Sequence, residues 1–91
     1  MSDSKTDSGH LMRVEHRPEE QRFVIIDGSK VAELQYSLLT NNRCDFHHTY
    51  VPFSMRGKGY AELLVEVGLA WSRAEGYQSC ASCRYVAKFL Q

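Results

Sequence analysis

The sequence has no imbalance of charge, no long apolar run and only two prolines. Lys plus Arg and Asp plus Glu number 11 each, so the formal net charge is zero. A chain without a field of one sign has no general attraction for nucleic acid, an acidic membrane surface or a highly charged partner, and any binding charge must be local. Its apolar stretches fall far short of the ~20 residues a membrane helix needs, which excludes a spanning helix. Cysteine is scarce and odd in number: Cys44, Cys80 and Cys83. With no apolar signal segment ahead of them, a secreted disulfide framework is not expected, and we read a cytoplasmic chain with reduced thiols.

What is present suffices for one core. The 91 residues are 43% hydrophobic and 11% aromatic, the composition of one globular domain. Met1 to Gly9 is rich in Ser, Asp and Lys without apolar periodicity, the composition of a disordered leader, and residues 10–91 read as the domain. Leu11 to His16 alternates and breaks at Arg17-Pro18-Glu19-Glu20. Phe23 to Ile26 is rich in β-formers and stops at Asp27-Gly28, a hairpin signal. Val31 to Leu39 and Cys44 to Val51 continue as strands on either side of Asn41-Asn42-Arg43, and Pro52 ends the second.

From Tyr60 the period becomes helical. Tyr60, Leu64, Val67 and Trp71, flanked by Leu63 and Ala74, share one face; Glu62, Glu66 and Arg73 share the other, where Leu69 hints at a contact surface. Gly76 ends this helix; Tyr77 to Ala81 reads as a fifth strand and Ser82 or Cys83 to Leu90 as a short helix. The expected fold class is α/β: a largely antiparallel sheet with one long helix and a short C-terminal one.

The most informative segment runs from Val51 to Ala61, where a strand ends, Arg56-Gly57-Lys58-Gly59 follows and the long helix begins at Tyr60. The first turn of a helix leaves backbone N–H groups unpaired and carries about half a positive charge, so it attracts anions. Glycines admit phosphate close to the backbone, and Arg56 and Lys58 reinforce the sign. No acidic residue occurs between Asp45 and Glu62. A P-loop needs Ser or Thr after Gly-Lys, and Gly59 stands there; a Rossmann fingerprint needs a third glycine where Glu62 stands.

Arg56, Gly59 and Ala61 resemble the cofactor signature of the GNAT acetyltransferase superfamily. The runs His48-Thr49-Tyr50-Val51-Pro52 and Cys83-Arg84-Tyr85-Val86 extend the resemblance, over about Val14 to Leu90, to a subfamily of roughly 90-residue GNAT-like proteins. Tyr50 departs from the Glu usual in that subfamily. The resemblance implies a minimal GNAT-like fold and N-acetyltransfer from acetyl-CoA to an amine, with a non-catalytic acyl-CoA sensor or interaction module as the alternative. It implies pantetheine along the backbone of Thr49, Tyr50 and Val51, and pyrophosphate on Arg56, Gly57, Lys58, Gly59, Tyr60 and Ala61. The hairpin strands that open this chain replace the early helices that wall the acceptor site in larger members, so a small or open acceptor site follows.

Cys44-x₂-His47 and Cys80-x₂-Cys83 have zinc-like spacing. On a strand, however, Cys44 and His47 point to opposite sides, so no metal is assigned. A thioredoxin-like pair lacks its βαβ start. Cys83, at the predicted start of the last helix, reads either as a thiol activated by the helix dipole or as a small buried hydrophobe. His48 is placed on one strand face with Phe46 and Tyr50, His47 on the other with Thr49; His10 and His16 carry no signal. The subfamily resemblance implies Cys83 as a nucleophile, His48 as a proton acceptor and Tyr85 as an acid for the departing thiol, the last with packing as an equal alternative.

Overall fold

A computed structural model describes residues 13–90; the leader assigned to Met1–Gly9 lies outside them. The elements are β1 (Val14–Arg17), β2 (Arg22–Asp27), β3 (Lys30–Leu39), β4 (Arg43–Tyr50), α1 (Tyr60–Ala74), β5 (Gln78–Ala81) and α2 (Arg84–Ala87). Short 3₁₀ turns cover Pro18–Glu20, Phe53–Met55 and Lys88–Leu90. The five strands form one sheet in chain order; successive pairs from β1 to β4 are antiparallel, and β5 joins β4 in parallel. The fold is α/β with a largely antiparallel sheet, as the sequence predicts, and the parallel pairing of β5 makes that sheet mixed. The C-terminal helix is shorter than expected: one α-helical turn from Arg84, continued as a 3₁₀ turn to Leu90.

The turns follow their chemistry. Asp27 pairs with Lys30 across Gly28, whose φ is +63°, while Asn41 and Asn42 take φ of +64° and +56°, a region asparagine enters more readily than most residues. Helix α1 ends in a Schellman arrangement: the Gly76 N–H donates to the Arg73 carbonyl and the Tyr77 N–H to that of Ser72, 3.0 Å each. The parallel β5 begins directly after it.

The core lies between one face of the sheet and α1. Phe23, Ile25, Ala32, Leu34, Tyr36, Cys44 and Phe46 meet Leu64, Val65 and Leu69, closed by Met55 and Val86. The buried stripe of the helix therefore runs through Leu64, Val65, Gly68, Leu69 and Ser72, with Tyr60, Leu63, Val67 and Trp71 on its flank. Leu69 is a core residue at 6% exposure, not the contact surface expected. Helical periodicity gives the width of a stripe more reliably than its centre, and Gly68 settles the rotation. A Cβ on Gly68 would come 2.8 Å from Leu34 Cδ2 and 3.1 Å from Phe46 Cε1, so glycine allows the helix to approach β3 and β4 this closely. The buried Ser72 hydroxyl accepts from Ser79 at 2.8 Å, which satisfies the one polar side chain in this stripe.

An aromatic cluster closes the other end of the core. His16 stacks on Phe23 at 4.2 Å and 9°, meets Trp71 edge-on at 4.6 Å, and its Nε2 lies 2.7 Å from the Tyr36 hydroxyl. Burial lowers the His16 pKa against opposing fields from Glu19 and Glu75, and burial pushes the Tyr36 hydroxyl up to about 12. The unfolded chain thus binds a proton at His16 more readily than the folded one. Stability from this group is complete above its ordinary value near 6.5 and is lost as pH falls through the lower folded value. Urea denaturation between pH 8 and pH 5 is expected to show falling stability on the acid side, with a shallower fall in His16→Gln. Equal slopes would contradict the assignment.

Candidate functional site

Strands β4 and β5 pair only from Arg43 opposite Gln78 to Phe46 opposite Ala81. Beyond that point the chains part, the last link being the Cys83 N–H to the Phe46 carbonyl at 3.1 Å. One edge of β4 from His47 to Tyr50 thus has no β5 partner, and its backbone is free to bond something else. Two adjoining clefts open there, of about 220 and 330 Å³, and Val51, Arg56, Ala61 and Tyr85 line both.

The first cleft leads to the start of α1. Gly57 and Gly59 both take φ of +79°, and a Cβ on Gly57 would meet nothing within 4 Å. Gly59 is the N-cap and supplies no side chain, so the first-turn N–H groups of α1 have no side-chain cap. Arg56 donates from Nε to the Val51 carbonyl at 2.9 Å and lies 5.8 Å from the Phe53 ring centroid, which fixes the guanidinium beside the cleft mouth. This surface fits a polyanion with a flexible arm: backbone donors and a guanidinium at one end, a free strand edge at the other. Glu62 also lines the cleft, its Oε1 3.7 Å from where a Gly59 Cβ would stand. The sequence reading passed over this carboxylate. Its position in the first helical turn, where acidic residues are favoured, was the available signal.

Of the residues expected to hold the cofactor, Thr49, Tyr50, Val51, Arg56, Gly57, Gly59, Tyr60 and Ala61 line one or both clefts. Lys58 lines neither; its Nζ lies 4.0 Å from Asp27 Oδ2. Tyr85 faces both clefts, and its hydroxyl pKa is raised by burial and by Glu62, which keeps it protonated at neutral pH.

Cys83 sits where the strands part, its Sγ 3.6 Å from Thr49 Oγ1. Burial opposes its ionisation, yet hydrogen bonding from the Val86 N–H, the Thr49 hydroxyl and the Tyr85 N–H outweighs burial and lowers the pKa. These donors lie outside ideal capping geometry, and the helix is a single turn, so individual hydrogen bonds rather than a long helix dipole act on the sulfur. Cys44 shows the opposite case: burial, partly offset by Ser72, pushes its thiol up to about 11. Among the described residues, no group of three or more His, Cys, Asp or Glu side chains gathers in a way that could hold a metal, and no helix is long and apolar enough to cross a membrane.

His48 is not where strand alternation put it. A bulge intervenes: Tyr36 pairs with Phe46 and Gln35 with His48, leaving His47 as the extra residue. Phe46 is buried, while His48 stands half exposed on the opposite face with its Nε2 4.0 Å from Glu33 Oε2. Glu33 in turn accepts from Arg22 Nη1 at 2.9 Å. Thr49 faces the core side beside Cys83, so the structure does not bring His48 and Cys83 into hydrogen-bonding contact.

Comparison with known proteins agrees with this architecture. Residues 22–91 match the family described as GCN5-related N-acetyl-transferase. Protein NATD1 of Bos taurus is 30% identical over 87 residues, covering 93% of this chain and 77% of that protein. Protein NATD1 of Mus musculus is 29% identical over 90 residues, covering 97% and 82%; that of Homo sapiens is 29% identical over 87 residues, covering 93% and 77%.

The Thr49 hydroxyl is the side-chain hydrogen-bond partner of the Cys83 sulfur among the described residues. Thr49→Val keeps the shape and removes it, so alkylation of Cys83 by iodoacetamide at neutral pH should slow about two- to twelvefold, corresponding to a hydrogen bond of roughly 0.5–1.5 kcal/mol. An unchanged rate in a folded variant would show that the contact does not activate the thiol.

Proposed function

The chain belongs to the family of GCN5-related N-acetyl-transferases, and from that membership we propose that it transfers an acetyl group from acetyl-CoA to an amine. The observation that carries the reading is the continuity of three features: the uncapped start of α1 with its two left-handed glycines, the free edge of β4, and the lowered-pKa thiol of Cys83. The N–H groups of Tyr60 and Ala61, the Gly57–Gly59 backbone and Arg56 hold the pyrophosphate. Lys58 contributes charge from the rim. The backbone of Thr49, Tyr50 and Val51 holds the pantetheine arm along the edge β5 leaves open.

Acetyl-CoA supplies a thioester carbon open to nucleophilic attack. On the covalent route the Cys83 thiolate forms a bond to that carbon, the bond to the CoA sulfur breaks, and the Tyr85 hydroxyl stands ready to protonate the departing thiolate. An amine then attacks the acetyl-Cys83 thioester, an amide forms, the bond to the Cys83 sulfur breaks to regenerate the thiolate, and the proton the amine loses returns to the Tyr85 oxygen. On the direct route the amine attacks the thioester carbon itself, the bond to the CoA sulfur breaks, Tyr85 protonates the departing thiolate, and His48, beside Glu33 on the opposite sheet face, takes the proton the amine loses. The bulge at His47, which separates His48 from Cys83, favours assigning the two residues to opposite approaches to the carbonyl rather than to one contact pair.

Incubation with acetyl-CoA and no amine, followed by intact-mass measurement, tests the covalent route. One adduct of about 42 Da, the mass of one acetyl group by standard atomic masses, is expected on the wild type and on Cys44→Ala and Cys80→Ala, and none on Cys83→Ala. Labelling that survives in Cys83→Ala would reject the covalent role. Saturable CoA binding with neither adduct nor turnover would instead support the acyl-CoA sensor reading.

A further inference from the structure

We propose that Asp45 is a positioning residue for Cys83, acting through Ser82. This rests on the reading of Cys83 as the acyl acceptor and concerns how the fold keeps that thiol in place.

Asp45 lies on β4 between the buried Cys44 and Phe46 and pairs in register with Cys80 of β5. Both of its carboxylate oxygens are used on one residue: Oδ1 accepts the Ser82 N–H at 2.8 Å and Oδ2 accepts the Ser82 hydroxyl at 2.7 Å. The next residue continues the tie, since the Cys83 N–H donates to the Phe46 carbonyl at 3.1 Å. Three hydrogen bonds thus fasten Ser82 and Cys83 to Asp45 and Phe46, across 37 residues of chain.

The fastened segment is the whole link between two elements, because β5 ends at Ala81 and α2 begins at Arg84. A two-residue link held at its first residue by a carboxylate and at its second by a strand carbonyl has little freedom left. Its geometry directs the Cys83 sulfur toward Thr49 Oγ1, 3.6 Å away, and leaves it at the start of α2, where the nearby N–H groups of Tyr85 and Val86 favour the thiolate. Without the Asp45 tie, Ser82 could turn away, and the sulfur would lose donors that favour its thiolate. A carboxylate acting only through its charge has the opposite sign, since a nearby negative group disfavours a thiolate. The two roles therefore separate experimentally.

Alkylation by iodoacetamide, in which the thiolate sulfur displaces iodide, reads the state of Cys83 without acetyl-CoA. In a Cys80→Ser background, the rate at Cys83 is followed by peptide mass as a function of pH. The other titratable groups close to the link, Arg84 and Tyr85 of α2, Glu62 of α1 and Asp45 itself, are constant except for the last. Asp45→Ala should raise the midpoint of the pH–rate curve by about one unit and slow alkylation about tenfold near neutral pH. Asp45→Asn, which can still accept the Ser82 N–H and donate to its hydroxyl, should stay near the wild type, and Ser82→Ala should fall between. An unchanged midpoint in Asp45→Ala overturns the proposal, as does a downward shift in both Asp45 variants. If Asp45→Ala fails to fold, a wild-type midpoint in Ser82→Ala overturns it. A wild-type midpoint equal to that of an ordinary thiol does so too. Acetylation is read separately by intact mass. Its absence with the expected alkylation shifts counts against covalent transfer and leaves the positioning role standing.

Discussion

The parting of β4 from β5 is the constraint on which the rest of this structure depends. Two strands that stayed paired would satisfy each other's backbone and leave nothing for a ligand. Here the pairing stops at Phe46 and Ala81, and three separate devices enforce the stop: the bulge at His47, the link at Ser82–Cys83 fastened to Asp45 and Phe46, and the turn into α2. An unpartnered strand edge inside a domain is costly unless something pairs with it. The free edge of β4, the clefts beside Tyr85 and the start of α1 therefore read as one surface rather than three.

The electrostatics of that surface are local. A chain of zero formal charge concentrates backbone donors and Arg56 at one end of a cleft, and places Glu62 within the same opening. The two better-defined cysteines show how far local geometry governs chemistry. Cys44, sealed between sheet and helix, is pushed toward the neutral thiol by burial, whereas Cys83 meets enough donors to overcome its burial. Thirty-nine residues apart in sequence, they differ by what surrounds the sulfur, not by residue type.

Much of the fold was legible because it is written in short-range chemistry. Gly28, Asn41-Asn42 and Gly76 mark turns by the φ they permit, and Gly57 and Gly59 mark the loop before α1. Residues that line the clefts were legible for the same reason, being adjacent in sequence around a strand end and a helix start. What was not legible depends on three dimensions. The bulge at His47 reverses which face His48 occupies, and nothing in a run of His-His-Thr announces it. His16, which carried no signal in the sequence, gains its place only when Phe23, Tyr36 and Trp71 fold around it. Leu69 was assigned outward because the rotation of α1 is set by Gly68 against Leu34 and Phe46, a contact between distant segments. The tie between Asp45 and Ser82 is likewise long-range.

The central claim is that CoA lies along the free edge of β4 with its pyrophosphate at the start of α1. Amide chemical-shift mapping during titration of the ¹⁵N-labelled protein with CoA tests it most directly. The account predicts saturable shifts concentrated at Thr49–Val51 and Gly57–Glu62, strongly reduced in Gly59→Val, whose side chain would strain a positive-φ position and fill the space phosphate needs. Shifts centred on the opposite sheet face around Glu33 and Gln35, or binding undiminished in Gly59→Val, would contradict it.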